Sequence, residues 1–85
     1  MVTKESLEQE VGVLYGKIYG YTDIGGDSVL EMMDEWLEQD GKYDLFMEYI
    51  CEDKFNEDTS LVEVTELINL LHHILDGVRE EYNMS

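Results

Sequence analysis

Apolar residues recur every three or four positions along most of this chain, which is the period of a helix with one buried side. No proline interrupts the pattern anywhere in the sequence. Four segments carry it, and they run from about Glu5 to Tyr19, Ser28 to Glu38, Lys42 to Cys51 and Ser60 to Glu81. The sequence therefore predicts an all-α fold, a bundle of about four helices that forms one domain over residues 1–85.

Three helix starts carry polar side chains that can accept hydrogen bonds from unsatisfied backbone N–H groups. Thr3 or Ser6 is expected to cap the first helix. Asp27 or Ser28 is expected to cap the second helix. Ser60 is followed three residues later by Glu63, which is the spacing of a capping box at the start of the last helix. The long apolar stripe of that helix predicts that it is the spine of the core. The stripe consists of Val64, Leu67, Ile68, Leu71, Ile74, Leu75 and Val78.

The first helix has an apolar stripe and, beside it, a glycine at every fourth position. The stripe consists of Leu7, Val11, Leu14, Ile18 and Tyr21. Gly12, Gly16 and Gly20 each cost the helix about 0.5–1 kcal/mol relative to alanine, so a compensating close approach is expected. Close packing inside the fold is the favoured interpretation, and a homodimer seam on this face is the alternative.

The second helix separates apolar from acidic residues completely. At about 100° per residue, one side collects Val29, Leu30, Met32, Met33, Trp36 and Leu37. The other side collects Asp27, Glu31, Asp34, Glu35 and Glu38. No lysine or arginine lies within this segment to neutralise those carboxylates. The third helix adds a second acidic row, which consists of Asp44, Glu48 and Glu52.

Acidity is a property of the whole chain. Twenty-one Asp and Glu residues stand against five Lys and Arg residues, a formal net charge of -16. Such a surface repels nucleic acid and anionic membranes, and it attracts basic proteins, including those that normally bind DNA or RNA. We therefore expect a small acidic bundle whose partner is a basic, nucleic-acid-binding protein, with no direct contact to nucleic acid or to a membrane.

Few residues suggest catalysis or metal binding. His72 and His73 are adjacent, so on a helix they point about 100° apart and cannot chelate one metal. Cys51 is the single cysteine, which leaves no intramolecular disulfide and no multi-cysteine zinc site. No phosphate-binding glycine loop or calcium-loop spacing occurs, so we predict a protein that is not an enzyme and has no metal or cofactor. The lack of a signal pattern and of a membrane-length apolar run predicts a soluble, cytoplasmic protein.

One short motif indicates a different function. Residues 24–29, IGGDSV, resemble the attachment site of acyl and peptidyl carrier proteins. In that family a serine hydroxyl at the start of the second helix is esterified by phosphopantetheine, and basic enzymes recognise the carboxylates that follow. The resemblance implies that Ser28 carries the prosthetic group and that Asp27 assists its attachment. About six residues separate Gly20 from Asp27, a shorter connection than the first loop of that family.

Carboxylates at i, i+3, i+4 and i+7 lie about 5–6 Å apart on a helix, which is comparable to the spacing of charge along a nucleic-acid strand. The surface resembles that of phage and mobile-element proteins that inhibit host defence or host DNA-binding proteins. This nucleic-acid-mimic interpretation assigns partner binding to Glu31, Asp34, Glu35, Glu38, Asp44, Glu48 and Glu52. A carrier protein modified on Ser28 is the first alternative, and an acidic adaptor or immunity-type protein is the second.

Overall fold

The computed structural model describes residues 3–82, in which four helices of ten or more residues are joined by short connections. The helices in this range are α1 (Lys4–Gly20), α2 (Thr22–Gly25), α3 (Asp27–Gln39), α4 (Tyr43–Glu52) and α5 (Leu61–Tyr82). The all-α prediction is confirmed, and each long helix ends within one residue of its expected bounds. The single turn α2 lies in the segment that the sequence pattern assigned to a plain connection.

The core lies mainly between α1 and α5, which form the largest helix–helix contact of the bundle. From α1 it takes Leu7, Val11, Leu14 and Ile18. From α5 it takes Val64, Leu67, Ile68, Leu70, Leu71, Ile74, Leu75 and Val78. Every predicted stripe residue is buried except Tyr21, which is half-buried, so α5 is the spine of the core. None of the helices formed by residues 3–82 is both long enough and apolar enough to cross a membrane.

α1 and α5 run in the same direction. A carboxylate oxygen of Glu10 on α1 lies 3.7 Å from Nε2 of His72 on α5. At the far end, the ring of Tyr82 packs against Gly25 of α2, directly after α1. A Cβ atom at Gly25 would lie 2.6 Å from that ring, so this contact requires glycine.

α3 crosses α5 in the opposite direction and packs closely on it. The turn after α3 lies near the start of α5, where Nζ of Lys42 is 3.5 Å from a carboxylate oxygen of Glu66. Further along, a Cβ atom at Gly77 would lie 3.1 Å from Cε of Met32 and 3.2 Å from Cη2 of Trp36. The apolar side of α3 therefore faces the bundle, and its buried members are Val29, Met33 and Leu37.

α4 packs over α1 through aromatic side chains. Phe46 is buried, and its ring centroid lies 5.4 Å from that of Tyr15 in an edge-on arrangement. Tyr49 lies over Gly12, where a Cβ atom would be 2.7 Å from the phenol oxygen. Gly12 therefore permits a close approach inside the fold, which confirms that part of the glycine prediction.

The other two glycines of the repeat have a different environment. Gly16 and Gly20 are exposed, and a Cβ atom at either position would have no neighbour within 4 Å. The prediction of close packing is wrong for these two, because α4 covers only the part of α1 around Gly12. A homodimer seam through Gly16 and Gly20 stays a prediction.

The connector between α4 and α5 contributes to the core, although its sequence is polar. Phe55 is only 4% exposed, and its ring centroid lies 5.4 Å from that of Tyr49. The Phe55 N–H donates to a carboxylate oxygen of Glu8 at 2.6 Å. From α1, the ammonium group of Lys4 donates to the carbonyl oxygen of Asn56 in the connector. The connector is therefore held against the bundle by α1 and by a buried ring.

The helix starts match their predicted caps at two of three positions. The Thr3 hydroxyl oxygen accepts from the Ser6 N–H at 3.1 Å, which confirms the expected cap of α1. The Ser60 hydroxyl oxygen accepts from the Glu63 N–H at 3.1 Å, which confirms the expected cap of α5. Capping of α3 by Asp27 or Ser28 is wrong, because Gly26 occupies the cap position and no side chain caps this helix. Gly26 has φ 60° and ψ -144°, a conformation that favours glycine, so the chain turns there and places Asp27 and Ser28 inside the first turn.

Candidate partner-binding surface

The outer side of α3 carries a row of closely spaced acidic residues. Glu31, Glu35 and Glu38 are exposed, and Asp34 is half-buried. These four carboxylates, which we call the α3 acidic face, point outward because the apolar residues of α3 pack on α5 and the core. The Glu35 side chain also accepts a long hydrogen bond of 3.5 Å from the amide of Gln39 on the same helix.

The cations of the described chain leave the α3 acidic face uncompensated. The ion pairs within residues 3–82 are Lys42–Glu66 at 3.5 Å, Arg79–Asp76 at 4.0 Å and, when the histidine is protonated, His72–Glu10 at 3.7 Å. Lys42 follows Glu38 by four residues, the spacing of a helical ion pair, but it lies beyond the end of α3 and contacts α5 instead. The negative field of α3 is therefore directed at solvent.

The three carboxylates of the predicted acidic row on α4 differ in their exposure to solvent. Asp44 and Glu52 are exposed, as expected for a binding surface. Glu48 is half-buried, and its carboxylate accepts from the Asn56 N–H at 3.2 Å. Glu48 therefore helps to hold the α4–α5 connector.

The two acidic rows meet at the turn between α3 and α4. A surface depression of about 270 Å³ is lined there by Glu38, Gly41, Tyr43 and Asp44. The last carboxylate of the α3 acidic face and the first one of α4 therefore border one concave feature. Glu52 lies at the other end of α4, on the rim of a crevice of about 710 Å³ that also contains Lys4 and Lys54. The continuous part of the candidate surface is consequently the α3 acidic face together with Asp44.

The geometry of this turn follows from a glycine. Gly41 has φ 69°, the left-handed conformation that ends many helices. The Gly41 N–H donates to the Glu38 carbonyl at 3.1 Å, and the Lys42 N–H donates to the Leu37 carbonyl at 2.8 Å. This pair of bonds is the Schellman motif, which satisfies two terminal carbonyls of α3 and fixes the direction of the chain into α4.

Ser28 and Asp27 are both exposed in the first turn of α3. The two glycines that precede them have roles in the fold, since Gly25 makes room for Tyr82 and Gly26 adopts a positive φ. Ile24, the first residue of the motif, is 61% exposed. The structure thus gives a packing or backbone reason for each glycine and leaves the serine hydroxyl accessible.

The remaining reactive side chains do not converge on one site. Cys51 is exposed, and no group of three or more His, Cys, Asp or Glu side chains in residues 3–82 is arranged to hold a metal ion. The pKa of Tyr49 is raised above its usual value of 10.0, first by burial and then by the negative charges of Asp53 and Glu8. Tyr49 therefore stays neutral at physiological pH, as its position between Gly12 and Phe55 requires.

Comparison of the chain with family models, with curated proteins and with solved structures found no match. No related protein supports either the mimic interpretation or the carrier-protein resemblance, so both are argued from the residues of this chain alone. Sequence reasoning identified the α3 acidic face correctly as an outward surface. It missed the structural role of Glu48, because the hydrogen bond to Asn56 depends on a connector with no periodic pattern.

Proposed function

We propose that this protein is a non-enzymatic nucleic-acid mimic, an inhibitor of the phage or mobile-element type. Its acidic surface occupies the basic groove with which a host defence protein or another DNA- or RNA-binding protein holds nucleic acid. The carboxylates take the positions of phosphates in that groove. Occupancy is the whole mechanism, so the protein needs no cofactor and no covalent step.

The observation that supports this proposal best is the α3 acidic face. It projects four carboxylates from 13 residues of helix and receives no ion pair from the described cations. Neighbouring carboxylates with no compensating cation destabilise a helix by a few tenths of a kcal/mol per pair. Here the buried apolar side of α3 offsets that cost, so the arrangement persists in spite of its own repulsion.

The net charge of the whole chain attracts the same kind of basic partner as the α3 acidic face. A net charge of -16 creates a long-range field that steers a basic partner toward the protein and raises the association rate. Because exposed charges are screened beyond about 8 Å at physiological salt, binding should weaken steeply as salt is added. A groove adapted to phosphates shows the same dependence with nucleic acid.

The partner can be captured from a lysate of the host with immobilised protein and then challenged with competitors. The proposal predicts that the captured protein is a nucleic-acid-binding protein and that duplex DNA or structured RNA releases it. The control is a captured fraction washed with an uncharged polymer at equal mass, which should release nothing. Retention of the partner in the presence of its own nucleic acid would indicate an acidic adaptor or immunity-type protein and would contradict the mimic.

A second candidate function depends on the exposed hydroxyl of Ser28. Its position in the first turn of α3, beside Asp27 and before the carboxylates of that helix, is the arrangement expected of a divergent carrier protein. In that case phosphopantetheine is attached to Ser28, and the α3 acidic face is recognised by basic enzymes.

Intact mass separates these two candidates. The protein is incubated with coenzyme A and a broad-specificity phosphopantetheinyl transferase, with Ser28→Ala as the matched control. The mimic predicts that the wild-type mass does not change. A gain of one phosphopantetheine that Ser28→Ala abolishes would establish the carrier function in its place.

A further inference from the structure

We infer that α4 and the connector after it form a flap that opens as one unit while α1, α3 and α5 stay folded. The flap comprises residues 43–59 and ends just before Ser60, the cap of α5. It carries Asp44 and Glu52, two carboxylates of the candidate partner-binding surface. The flap is therefore a movable part of that surface, and its use by a basic partner rests on the proposed function.

The flap is held together by contacts of its own. The Glu48 carboxylate on α4 accepts from the Asn56 N–H of the connector at 3.2 Å. The ring centroids of Tyr49 on α4 and Phe55 in the connector lie 5.4 Å apart. Within the connector, the Asn56 carbonyl accepts from the Thr59 N–H at 3.0 Å. A hydrogen bond and a ring contact therefore link α4 to the connector, so the two segments move together.

The flap is attached to the bundle along one stripe of α1. Spacings of four, four and three residues place the contacting positions on one side of that helix, and they are Lys4, Glu8, Gly12 and Tyr15. The first two side chains form hydrogen bonds with the connector backbone, and the other two positions pack against the rings of Tyr49 and Phe46. Within residues 3–82, no hydrogen bond or aromatic ring pair joins the flap to α5. Release of the α1 stripe therefore detaches these contacts together.

α4 contributes fewer buried residues than any other long helix. Phe46 is its one buried residue among ten, and the connector adds Phe55. By comparison, α3 buries three residues of 13 and α5 buries eight of 22. Segments with few buried apolar side chains open at a lower free energy than the core of the same protein. The flap is therefore the part of the bundle that opens first.

The two ends of α4 differ in how far they can move. The start is held to the bundle by the hydrogen bonds of the turn at Gly41 and by the contact between Lys42 and Glu66 at 3.5 Å. Asp44 consequently stays beside the end of α3, whereas Glu52 at the far end of α4 moves when the α1 stripe is released. Opening therefore changes the distance between Glu52 and the α3 acidic face, and this fits the acidic surface to grooves of different width.

Native-state hydrogen exchange tests the flap on the protein alone. Backbone amides are followed by nuclear magnetic resonance under conditions in which exchange reports the equilibrium of opening, with urea kept below the unfolding transition. We expect the amides of residues 47–52 to converge on one opening constant, at least about tenfold larger than that of the core amides of residues 67–75. One constant shared by both sets would show that α4 opens only when the whole protein unfolds, and would overturn the inference.

A core variant separates local opening from global unfolding. Val78 is fully buried on α5, next to Gly77, which faces α3, and it lies beyond the stripe of α1 that holds the flap. Val78→Ala removes two methyl groups from the core, so global unfolding should become at least about tenfold more favourable and the α5 amides should exchange faster by that factor. The amides of residues 47–52 should change by less than about twofold, because the core stays folded when the flap opens. Equal acceleration of both sets would contradict the flap.

Glu8→Gln should raise the opening constant of the flap itself. The carboxylate that accepts from the Phe55 N–H at 2.6 Å is replaced by a neutral amide oxygen, and charge-assisted hydrogen bonds are roughly twice as strong as neutral ones. We expect the opening constant of residues 47–52 to rise about fivefold. Glu5→Gln is the matched control, because Glu5 is exposed on α1 and borders the same crevice without a hydrogen bond to the connector. The same rise in both variants would mean that only charge matters, and would remove the role of the α1 stripe.

Failure of the flap is distinguishable from failure of the proposed function. If nucleic acid releases the partner but α4 exchanges only with the core, the mimic stands and the flap is wrong. If α4 opens as expected but nucleic acid does not compete for the partner, the flap stands on a protein of another function.

Discussion

Replacing Glu31, Asp34 and Glu35 together by lysine is expected to abolish partner binding and to leave the helical fold intact. Each substitution changes the charge by two, so the three together change the net charge from -16 to -10. The protein stays strongly acidic, yet the α3 acidic face becomes predominantly basic. Close charge pairs across interfaces are worth about 1.5–7 kcal/mol in favourable cases, so turning three attractive contacts into repulsive ones should weaken binding by roughly 10³-fold or more.

The fold should survive because the changed side chains point outward. Glu31 and Glu35 are exposed and Asp34 is half-buried, whereas α3 is anchored by Val29, Met33 and Leu37. Substitutions on such a surface usually change stability by less than about 0.5 kcal/mol each. Far-ultraviolet circular dichroism and the urea midpoint should therefore match those of the wild type.

The matched control for this variant is a second triple reversal with Glu5, Glu80 and Glu81 changed to lysine. These carboxylates are exposed on α1 and α5, so the net charge again becomes -10 but the α3 acidic face is preserved. Affinity measured by calorimetry should fall by less than about tenfold, since only the long-range field is reduced. Equal losses in the two variants would mean that the partner senses total charge and not this surface.

Phe55→Ala is expected to cause a large loss of stability, although Phe55 lies in a polar connector. Phe55 is 4% exposed and packs against Tyr49, so removal of its ring leaves a cavity between α4, the connector and α1. Truncation of a buried phenylalanine typically costs about 3–5 kcal/mol. Small domains are stable by about 5–15 kcal/mol, so a large fraction of the total would be lost. The free energy of unfolding from urea titration measures this change.

An exposed apolar residue serves as the control for that measurement. Val62 is 69% exposed in the first turn of α5, and Val62→Ala should shift the free energy of unfolding by no more than about 0.5 kcal/mol. If Phe55→Ala is as mild as Val62→Ala, then the connector does not depend on this ring and its description as a part of the core is wrong.

The helices were predictable because their signals are periodic and local. The stripes of α1 and α5 repeat every three or four residues over long segments, and the Ser60 cap depends on residues within one turn. The outward side of α3 was predictable for the same reason, since its apolar and acidic residues occupy opposite sides. No long-range contact had to be known for any of these features.

The features that the sequence did not predict depend on contacts between distant segments. Phe55 is a single aromatic residue in a polar connector, and its burial follows from the positions of Glu8 and Tyr49. The cap of α3 was assigned to a side chain, whereas Gly26 occupies the cap position and no side chain caps this helix. The meeting of the two acidic rows at Glu38 and Asp44 required the direction of the chain after Gly41, which periodicity does not contain.

The most direct test of the central claim is a competition experiment with the captured partner and its own nucleic acid. The affinity of the partner for a fluorescent DNA or RNA is measured by anisotropy at a series of fixed concentrations of this protein. A mimic that occupies the same groove predicts that the apparent Kd for nucleic acid rises linearly with the concentration of the protein, without reaching a limit. An apparent Kd that stays constant, or that rises and then levels off, would show that both ligands bind at once and would contradict the account.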